Sequence, residues 1–443
     1  MSSVLSAPAY KGYPAWAPPL PAGDIGAQGW HVLQADWPLP CATLKQAALK
    51  HNVGWMQRLV TQAGVSLAPH GNTTMSPELF QIQLDEGAWG ITFATVGQLA
   101  TGVATGVATG VRRALLANQV LLPHDLSWLN QLHTSHPDLQ APFLLDSATQ
   151  LTAIESWMAQ AQTHATPPRP FEVLIELGLP AGRTGCRTLT QALDLAQAAH
   201  ASPAVRLVGI ECYEGLWAKA DTTADRQLVD TLMQQVHDLA QTCDRAGLFN
   251  DTPEVWISAG GSAVFDLVAS WLTPVLSRPV RGLLRSGCYI THDDGFYKRL
   301  GHLVDERLAM HGLDGQPWPC GGGLHAALEV WCAVQSRPEP HLAILNAGKR
   351  DLSFDMGLPI PLRWSPAGST SVHDAPAEWR ITQLNDQHAY LDMGDTNNQE
   401  PILQVGDRVA LGISHPCTTF DKWRWMPLVT DDGQIVGAIT TRF

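Results

Sequence analysis

Lysine is scarce in this chain of 443 residues, because the 28 basic residues comprise 21 arginines and only seven lysines. Charged residues make up 16% of the chain, below the quarter that is usual in globular proteins. The formal net charge is −13 and no stretch is strongly basic, which argues against a nucleic-acid-binding or anionic-membrane-binding surface. No apolar run of about 18 residues occurs, and the first residues lack the pattern of a signal peptide. We therefore expect a cytoplasmic protein with no membrane or nucleic-acid partner.

Paired cysteine motifs are also absent. The eight cysteines are scattered and none forms a CxxC pair, while hydrophobic residues make up 45% of the chain. A chain of this length with a large core does not need a disulfide framework, so the pattern predicts reduced cytosolic thiols.

Eight short apolar segments alternate with helix-like segments over the first two thirds of the chain. Most of the eight lack a strict polar alternation, as strands buried on both faces do. They lie at 66–70, 90–95, 114–119, 143–147, 171–177, 207–215, 254–262 and 282–290. Eight such units predict an α/β fold built on a (β/α)₈ TIM barrel, with an open doubly wound sheet as the alternative.

The changes in composition and residue pattern along the chain predict three regions. Residues 1–43 are rich in Pro, Trp and Gly and indicate an irregular arm associated with a β domain. Residues 44–320 would form the barrel. Residues 321–443 contain β-like runs separated by turn residues and predict a smaller C-terminal β domain.

In a barrel of this type the active site lies where the strands end at their carboxyl side. Glycine-containing turns follow the last two candidate strands, at Gly260-Gly261-Ser262 and Ser286-Gly287-Cys288-Tyr289. Such turns bind phosphate through backbone N–H groups, although Gly-Gly-Ser is also an ordinary turn. Other polar residues at the strand ends are His70, Asn72, Thr95, Asn118, Asp146, Arg183, Tyr213 and Glu214.

A second candidate site is His415-Pro416-Cys417. If the segment is extended, the two flanking side chains project to the same face, where imidazole and thiolate could bind one zinc ion. Two protein ligands would leave open positions for water or substrate. The alternative is a buried cysteine beside a hydrogen-bonded histidine.

Several motifs together resemble one known family, that of the D-serine dehydratases and D-threonine aldolases. These are pyridoxal-phosphate (PLP) enzymes of fold type III, related to alanine racemase, and the resemblance runs from about Leu44 to the C-terminus. The motifs occur in the family's order: PHGNTTMSPELFQIQLDEGAWGITFATVGQLA, LxxGRTGCR, GIECYEG, SAGGS, LRSGCYITHDDGFY, LNAGKRDLSFD and SHPCTTFDKWR.

The resemblance implies a role for individual residues. Arg183 and Tyr213 match residues beside the cofactor ring, and with His70 they are candidate catalytic residues. His415 and Cys417 match the zinc ligands of the dehydratases, and the thiolate favours zinc over manganese. Cys288 is expected to contribute only backbone or bulk to the phosphate site. The positions that match the phosphate-binding loops are Gly260, Gly261, Ser262, Gly287, Cys288 and Tyr289.

The sequence departs from the family at Asn72, which occupies the position of the lysine that forms a Schiff base with the cofactor. A carboxamide can neither form that bond nor act as a base. Three explanations remain: a Lys→Asn variant of an active enzyme, a natural homologue that binds without turnover, or metal-dependent chemistry without the bond.

The resemblance implies a PLP- and zinc-dependent D-serine dehydratase-like lyase. It would eliminate water and ammonia from small D-β-hydroxy-α-amino acids. The alternatives are an aldolase for the same substrates and a non-catalytic homologue that binds PLP or a D-amino acid. A homodimer is also expected from the family.

Overall fold

The computed structural model describes residues 3–104, 110–161, 167–215, 218–313, 315–316, 318, 322–394 and 403–443. It divides into an N-terminal arm, a barrel domain of parallel strands and an antiparallel domain. The expected boundary at 320/321 lies outside the described residues.

The arm contains two short strands, β1 (Val4–Leu5) and β2 (Leu20–Pro21), which pair with each other. Its aromatic residues pack together against the antiparallel domain; for example, Tyr13 contacts Trp425 at 5.4 Å between ring centroids. Strand β3 (Cys41–Lys45) follows and pairs in the antiparallel sheet, so Leu44 and Lys45 belong to that sheet rather than to the barrel, where we expected them.

Eight parallel strands form the barrel domain, which confirms the expected (β/α)₈ architecture. A parallel bridge between His70 and Thr92 joins the first and second strands and closes the sheet. The strands are β4 (Ser66–Leu67), β5 (Ile91–Phe93), β6 (Ala114–Gln119), β7 (Phe143–Leu145), β8 (Phe171–Leu177), β9 (Val205–Cys212), β10 (Val255–Ala259) and β11 (Val280–Leu284). The helices of this part are α1 (Gln46–Gln62), α2 (Pro77–Asp85), α3 (Val96–Ala104), α4 (Pro123–Ser135), α5 (Ala148–Ala161), α6 (Leu189–Ala201), α7 (Thr222–Arg245), α8 (Phe265–Val268) and α9 (Phe296–His311).

The interior of the barrel is filled by side chains. Seven strands or strand ends each contribute one buried residue to a separate apolar cluster, and Trp89, which precedes β5, packs edge-on against Trp256 at 4.7 Å. The cluster fills the middle of the barrel, with Leu174 and Val208 central in their strands and Ala68 just after β4. The carboxyl ends are therefore left for a cavity.

The antiparallel domain continues the chain from β12. The elements are β12 (Leu328–Glu339), β13 (Leu342–Leu345), β14 (Ile360–Ser365), β15 (His373–Asp374), β16 (Arg380–Leu384), β17 (Ala389–Asp392), β18 (Arg408–Gly412), α10 (Cys417–Phe420), β19 (Trp425–Val429) and β20 (Ile435–Thr440). The central strands follow the order β15-β14-β18-β12-β13-β17-β16, and β3, β19 and β20 extend the same assembly. None of the helices within the described ranges has both the length and the apolar character needed to cross a bilayer.

Candidate functional site

A cavity of about 390 Å³ opens where the carboxyl ends of the barrel strands meet the antiparallel domain. Both domains contribute to its wall. The residues that line it are His70, Asn72, Thr73, Ala117, Arg183, Tyr213, Gly215, Ala218, Gly261, Ser262, Arg285, Ser286, Gly287, Cys288, Phe296, Tyr297, Met356, His415 and Cys417. Ten of the twelve residues expected from the sequence are among them; Gly260 and Tyr289 are not.

Asn72 enters the cavity from the loop that follows β4. The backbone forms a 3₁₀ turn over Gly71–Thr73, and the Ser76 hydroxyl then accepts the Leu79 N–H to begin α2. The buried Oδ1 of Asn72 has no hydrogen-bond partner among the described residues. All seven lysines are described, and none of them lines the cavity. No other lysine therefore replaces the one missing at position 72.

A buried arginine forms the floor of the cavity. Arg285, only 2% exposed, forms an ion pair with the equally buried Glu211 and donates from Nη2 to the Cys212 carbonyl at 2.8 Å. Its Nη1 lies 3.5 Å from Nε2 of His70. Burial, followed by the cations Arg285 and Arg183, lowers the pKa of His70 to about 3. The imidazole is therefore neutral at physiological pH.

Within the two glycine loops, some backbone N–H groups are already bonded and others are free. The N–H groups of Gly260 and Gly261 both donate to the buried Glu214 carboxylate, at 3.1 and 2.6 Å. The N–H groups of Ser262 and Gly287, by contrast, donate to no acceptor in the described part of the chain. These two groups can bind an anion without first displacing a protein carboxylate.

Close packing explains why glycine occupies two of these positions. A Cβ on Gly287 would lie 2.6 Å from Cβ of His70 and 2.8 Å from its carbonyl oxygen. Gly260 has φ of +99° and faces Leu284 rather than the cavity. Tyr289 is 1% exposed and accepts a hydrogen bond from Gln83 at 3.1 Å, so its ring packs in the core.

Arg183 and Tyr213 form one wall. The guanidinium carbon of Arg183 lies 5.1 Å from the centre of the Tyr213 ring, a cation–π contact. Burial raises the pKa of the Tyr213 hydroxyl to about 12, so the phenol stays neutral. The pair presents a planar aromatic surface and a cation to any ligand in the cavity.

A cluster of possible metal ligands lies on the side of the antiparallel domain. The ligand atoms of Cys288, His415 and Cys417 all lie within 4.8 Å of one another, and the two sulfur atoms are 3.8 Å apart. The expectation of an extended segment at Pro416 was wrong: its φ of −60° and ψ of −46° are helical, and it begins α10. Proline favours the first turn of a helix, and the two side chains converge despite the turn.

Asp355 holds the imidazole of the cluster. One of its carboxylate oxygens lies 2.7 Å from Nδ1 of His415, and the other accepts the Thr418 hydroxyl at 2.7 Å. Burial alone would lower the pKa of His415, but the hydrogen bonds and charges of Cys417 and Asp355 raise it to about 9. Without a metal this imidazole is therefore protonated at neutral pH.

Some residues of the cavity were not anticipated from the sequence. Arg285 lies inside a predicted strand and was not considered, although a cation in an apolar strand is itself a signal. Glu214 was noted only as a polar strand end, and Cys288 was assigned no role for its thiol. Phe296, Tyr297 and Asp355 stand at the ends of two quoted motifs but were assigned no role, and Met356 follows one of them. Phe296, Tyr297 and Met356 line the cavity, whereas Asp355 acts on it through His415.

Comparison with known proteins places the chain among relatives of matching length. Residues 327–429 match the family model described as a putative serine dehydratase domain. The 3-hydroxy-D-aspartate aldolase of Paracoccus denitrificans (strain Pd 1222) is 24% identical over 387 residues, covering 87% of each chain. The D-threonine aldolase of an Arthrobacter species is 25% identical over 399 residues, covering 88% of this chain and 89% of the relative.

Solved structures share the fold. D-threonine aldolase from Filomicrobium marinum superposes with a TM-score of 0.70 at 21% identity, covering 92% of this chain and 96% of that one. D-threo-3-hydroxyaspartate dehydratase from Delftia sp. HT23 superposes with a TM-score of 0.68 at 21% identity, covering 91% and 97%. These comparisons confirm the resemblance seen in the sequence: the chain is similar to D-threonine aldolase and 3-hydroxy-D-aspartate aldolases, part of it matches the serine dehydratase model, and it shares the alanine-racemase-like fold.

Proposed function

We propose that the cavity binds PLP and a divalent metal, and that the protein is a lyase of the D-serine dehydratase type acting on small D-β-hydroxy-α-amino acids. The observation that carries this proposal is the combination of three surfaces in one cavity. Unpaired N–H groups at Ser262 and Gly287 suit an anion, the Arg183–Tyr213 wall suits a ring, and the Cys288, His415 and Cys417 cluster suits a metal.

The residues fit the phosphate and the ring of the cofactor. The N–H groups of Ser262 and Gly287 would bind the phosphate, while Tyr213 would contact the ring. Neutral His70, in contact with Arg285, can accept or donate a hydrogen bond without adding charge to the cavity. When bound, the cofactor withdraws electrons from the substrate Cα, and the metal polarises its β-hydroxyl.

The residues do not fit covalent attachment of the cofactor. The Asn72 amide has no nucleophilic amine, and no lysine reaches the cavity from elsewhere. We therefore expect the chain as it stands to bind the cofactor only non-covalently, with turnover far below that of a lysine-bearing enzyme. A non-catalytic binder of PLP or a D-amino acid is the second candidate, and Asn72 is the observation that favours it.

Water elimination is favoured over aldol cleavage by one feature, the thiolate-bearing His-x-Cys pair, which the resemblance associates with dehydratases. The names of the four relatives reported above cover both outcomes, since three are aldolases and one is a dehydratase. Zinc is the metal we propose, because thiolate ligands select it over manganese. The homodimer and the cytoplasmic location stay predictions.

The test is the Asn72→Lys variant with added PLP and zinc, assayed on D-serine and D-threonine. We expect a visible absorbance band of lysine-bound cofactor, and release of a 2-oxo acid and ammonia. Asn72→Arg is the matched control: it introduces a cation of similar length that cannot form a Schiff base, and it should show neither. Glycine plus an aldehyde would replace our choice by the aldolase, and a lysine variant that binds PLP but stays inert would favour the binder.

A further inference from the structure

We infer that Cys288 is a third metal ligand, so that the metal is bound by one imidazole and two thiolates and connects the barrel domain to the antiparallel domain. The sequence pattern supplies only His415 and Cys417. Cys288 comes from the loop after β11, on the other domain. The inference rests on the proposed function in one respect, that a metal occupies this corner of the cavity.

The spacing of the two sulfur atoms matches shared coordination. Two thiolates at about 2.3 Å from one tetrahedral zinc ion are separated by about 3.8 Å. Cys288 Sγ and Cys417 Sγ lie 3.8 Å apart, far beyond the length of a disulfide bond. All three ligand atoms of the cluster lie within 4.8 Å of one another, as one ion requires.

Each ligand is held in place by a neighbour. The Cys288 N–H donates to the Ser262 hydroxyl at 3.3 Å, which fixes the start of the turn. Because Asp355 bonds Nδ1 of His415, Nε2 is the nitrogen that would bind the metal, as in the carboxylate–histidine–metal arrangement common in zinc sites. The Thr73 hydroxyl lies 3.5 Å from Cys417 Sγ.

A third protein ligand changes which metal ion the site prefers. A donor set of one nitrogen and two sulfur atoms is soft and favours zinc over magnesium or manganese. A tetrahedral ion bound by these three residues would keep one position for water or substrate, and all three residues line the cavity. This arrangement is that of a catalytic site rather than of a closed structural one.

With Cys288 as a third ligand, metal binding would also stabilise the contact between the two domains. Cys288 follows a barrel strand, whereas His415 and Cys417 follow β18 of the antiparallel domain. A metal bound to all three stabilises the contact between the domains, because binding to the folded state alone raises its stability by mass action. Loss of Cys288 should therefore reduce the thermal stabilisation by zinc as much as loss of Cys417 does.

The experiment is a Co²⁺ titration of the chelator-treated full chain, read by the sulfur-to-cobalt charge-transfer absorbance, whose intensity scales with the number of thiolate ligands. We expect Cys288→Ala and Cys417→Ala each to retain about half of the intensity, and the double variant to retain none. Cys243→Ala is the matched control: this cysteine is fully buried in α7 and its removal should leave the band unchanged. Zinc-dependent gains in Tm, measured in parallel, should fall equally in the two single variants.

The possible failures are distinguishable. Full intensity in Cys288→Ala would overturn the third ligand while leaving the metal in place. Absence of cobalt binding by the unaltered chain would overturn the metal of the proposed function itself. If Cys288→Ala does not fold, the nearly isosteric Cys288→Ser gives the same test, since a neutral hydroxyl does not produce the charge-transfer band.

Discussion

Two histidines line the same cavity, and their surroundings change their pKa values in opposite directions. On the barrel side, His70 lies in a buried setting beside Arg285 and Arg183, which lower its pKa to about 3. On the side of the antiparallel domain, the Cys417 thiolate and the Asp355 carboxylate raise the pKa of His415 to about 9. One side is organised to receive an anion and the other to receive a cation.

This difference explains how the cavity can lack its lysine and still keep its binding surfaces. The barrel side is formed by Arg285 and by the unpaired N–H groups of Ser262 and Gly287, and Arg285 is bonded to Glu211 and Cys212 rather than to Asn72. The other side depends on Asp355 and on ligands from two domains. The substitution at position 72 removes covalent chemistry, while the two recognition surfaces do not require it.

The largest expected effect is a loss of stability when Arg285, on the barrel side of the cavity, is replaced. Arg285→Met leaves two buried groups without their donor, the Cys212 carbonyl and the Glu211 carboxyl, whose pKa burial already raises to about 8. The free energy of unfolding should fall by about 3–5 kcal/mol. Urea unfolding measures the loss. Arg380→Met is the control, because Arg380 is 71% exposed in its pair with Asp392 and should cost no more than about 1 kcal/mol. Equal losses in the two variants would contradict an organising role for Arg285.

The second effect tests the antiparallel-domain side. Asp355→Asn keeps a hydrogen-bond acceptor near His415 but removes the charge, which should weaken zinc binding about 10–100-fold. Competition with a chelating dye measures the affinity. Asp386→Asn, on an exposed aspartate paired with Arg350, should leave it unchanged. A change below about twofold in Asp355→Asn would show that the carboxylate does not support the metal site.

Local apolar patterns in the sequence predicted the strands of the barrel, and the same patterns explain where the predicted strand bounds were wrong. β6 and β8 agree with the predicted segments residue for residue, because their apolar runs are bounded by polar or turn residues on both sides. The segments predicted at 207–215 and 282–290 overran β9 and β11, which end at Cys212 and Leu284. In both cases the prediction continued past the apolar run into the polar and glycine residues that follow the strand, and most of these line the cavity.

The site was predictable where one motif held its residues and not where distant segments meet. His415 and Cys417 could be paired because they are two residues apart. Cys288 joins them only because the barrel and the antiparallel domain come together, and 129 positions separate it from Cys417. Likewise Glu211 lies in β9 and Arg285 directly follows β11, so their pairing depends on the sheet order β9-β10-β11 and on strand register.

A smaller effect is expected at the anion-binding loop of the barrel side. In Gly287→Ala the new methyl group would meet the His70 backbone at 2.8 Å, so the loops would move apart and the N–H groups would lose their alignment. We expect the affinity for PLP to fall at least about fivefold, roughly 1 kcal/mol, by fluorescence titration. Gly23→Ala, where an added Cβ meets nothing within 4 Å, is the control. Unchanged affinity would remove this loop from the phosphate site.

The last effect changes protonation and leaves the fold in place. In the chelator-treated chain, ¹⁵N-histidine NMR should show His70 neutral and His415 protonated at pH 7, with His70→Gln and His415→Gln identifying the signals. Because the folded pKa of His70 lies below its unfolded value near 6.5, its contribution to stability is present above that pH and is lost as the pH falls toward 3. His415 behaves in the opposite way: its folded pKa is higher than its unfolded value, so its contribution is present below about 6.5 and is lost as the pH rises through about 9. Two histidines titrating together near their ordinary value would show that the two sides of the cavity do not differ in charge.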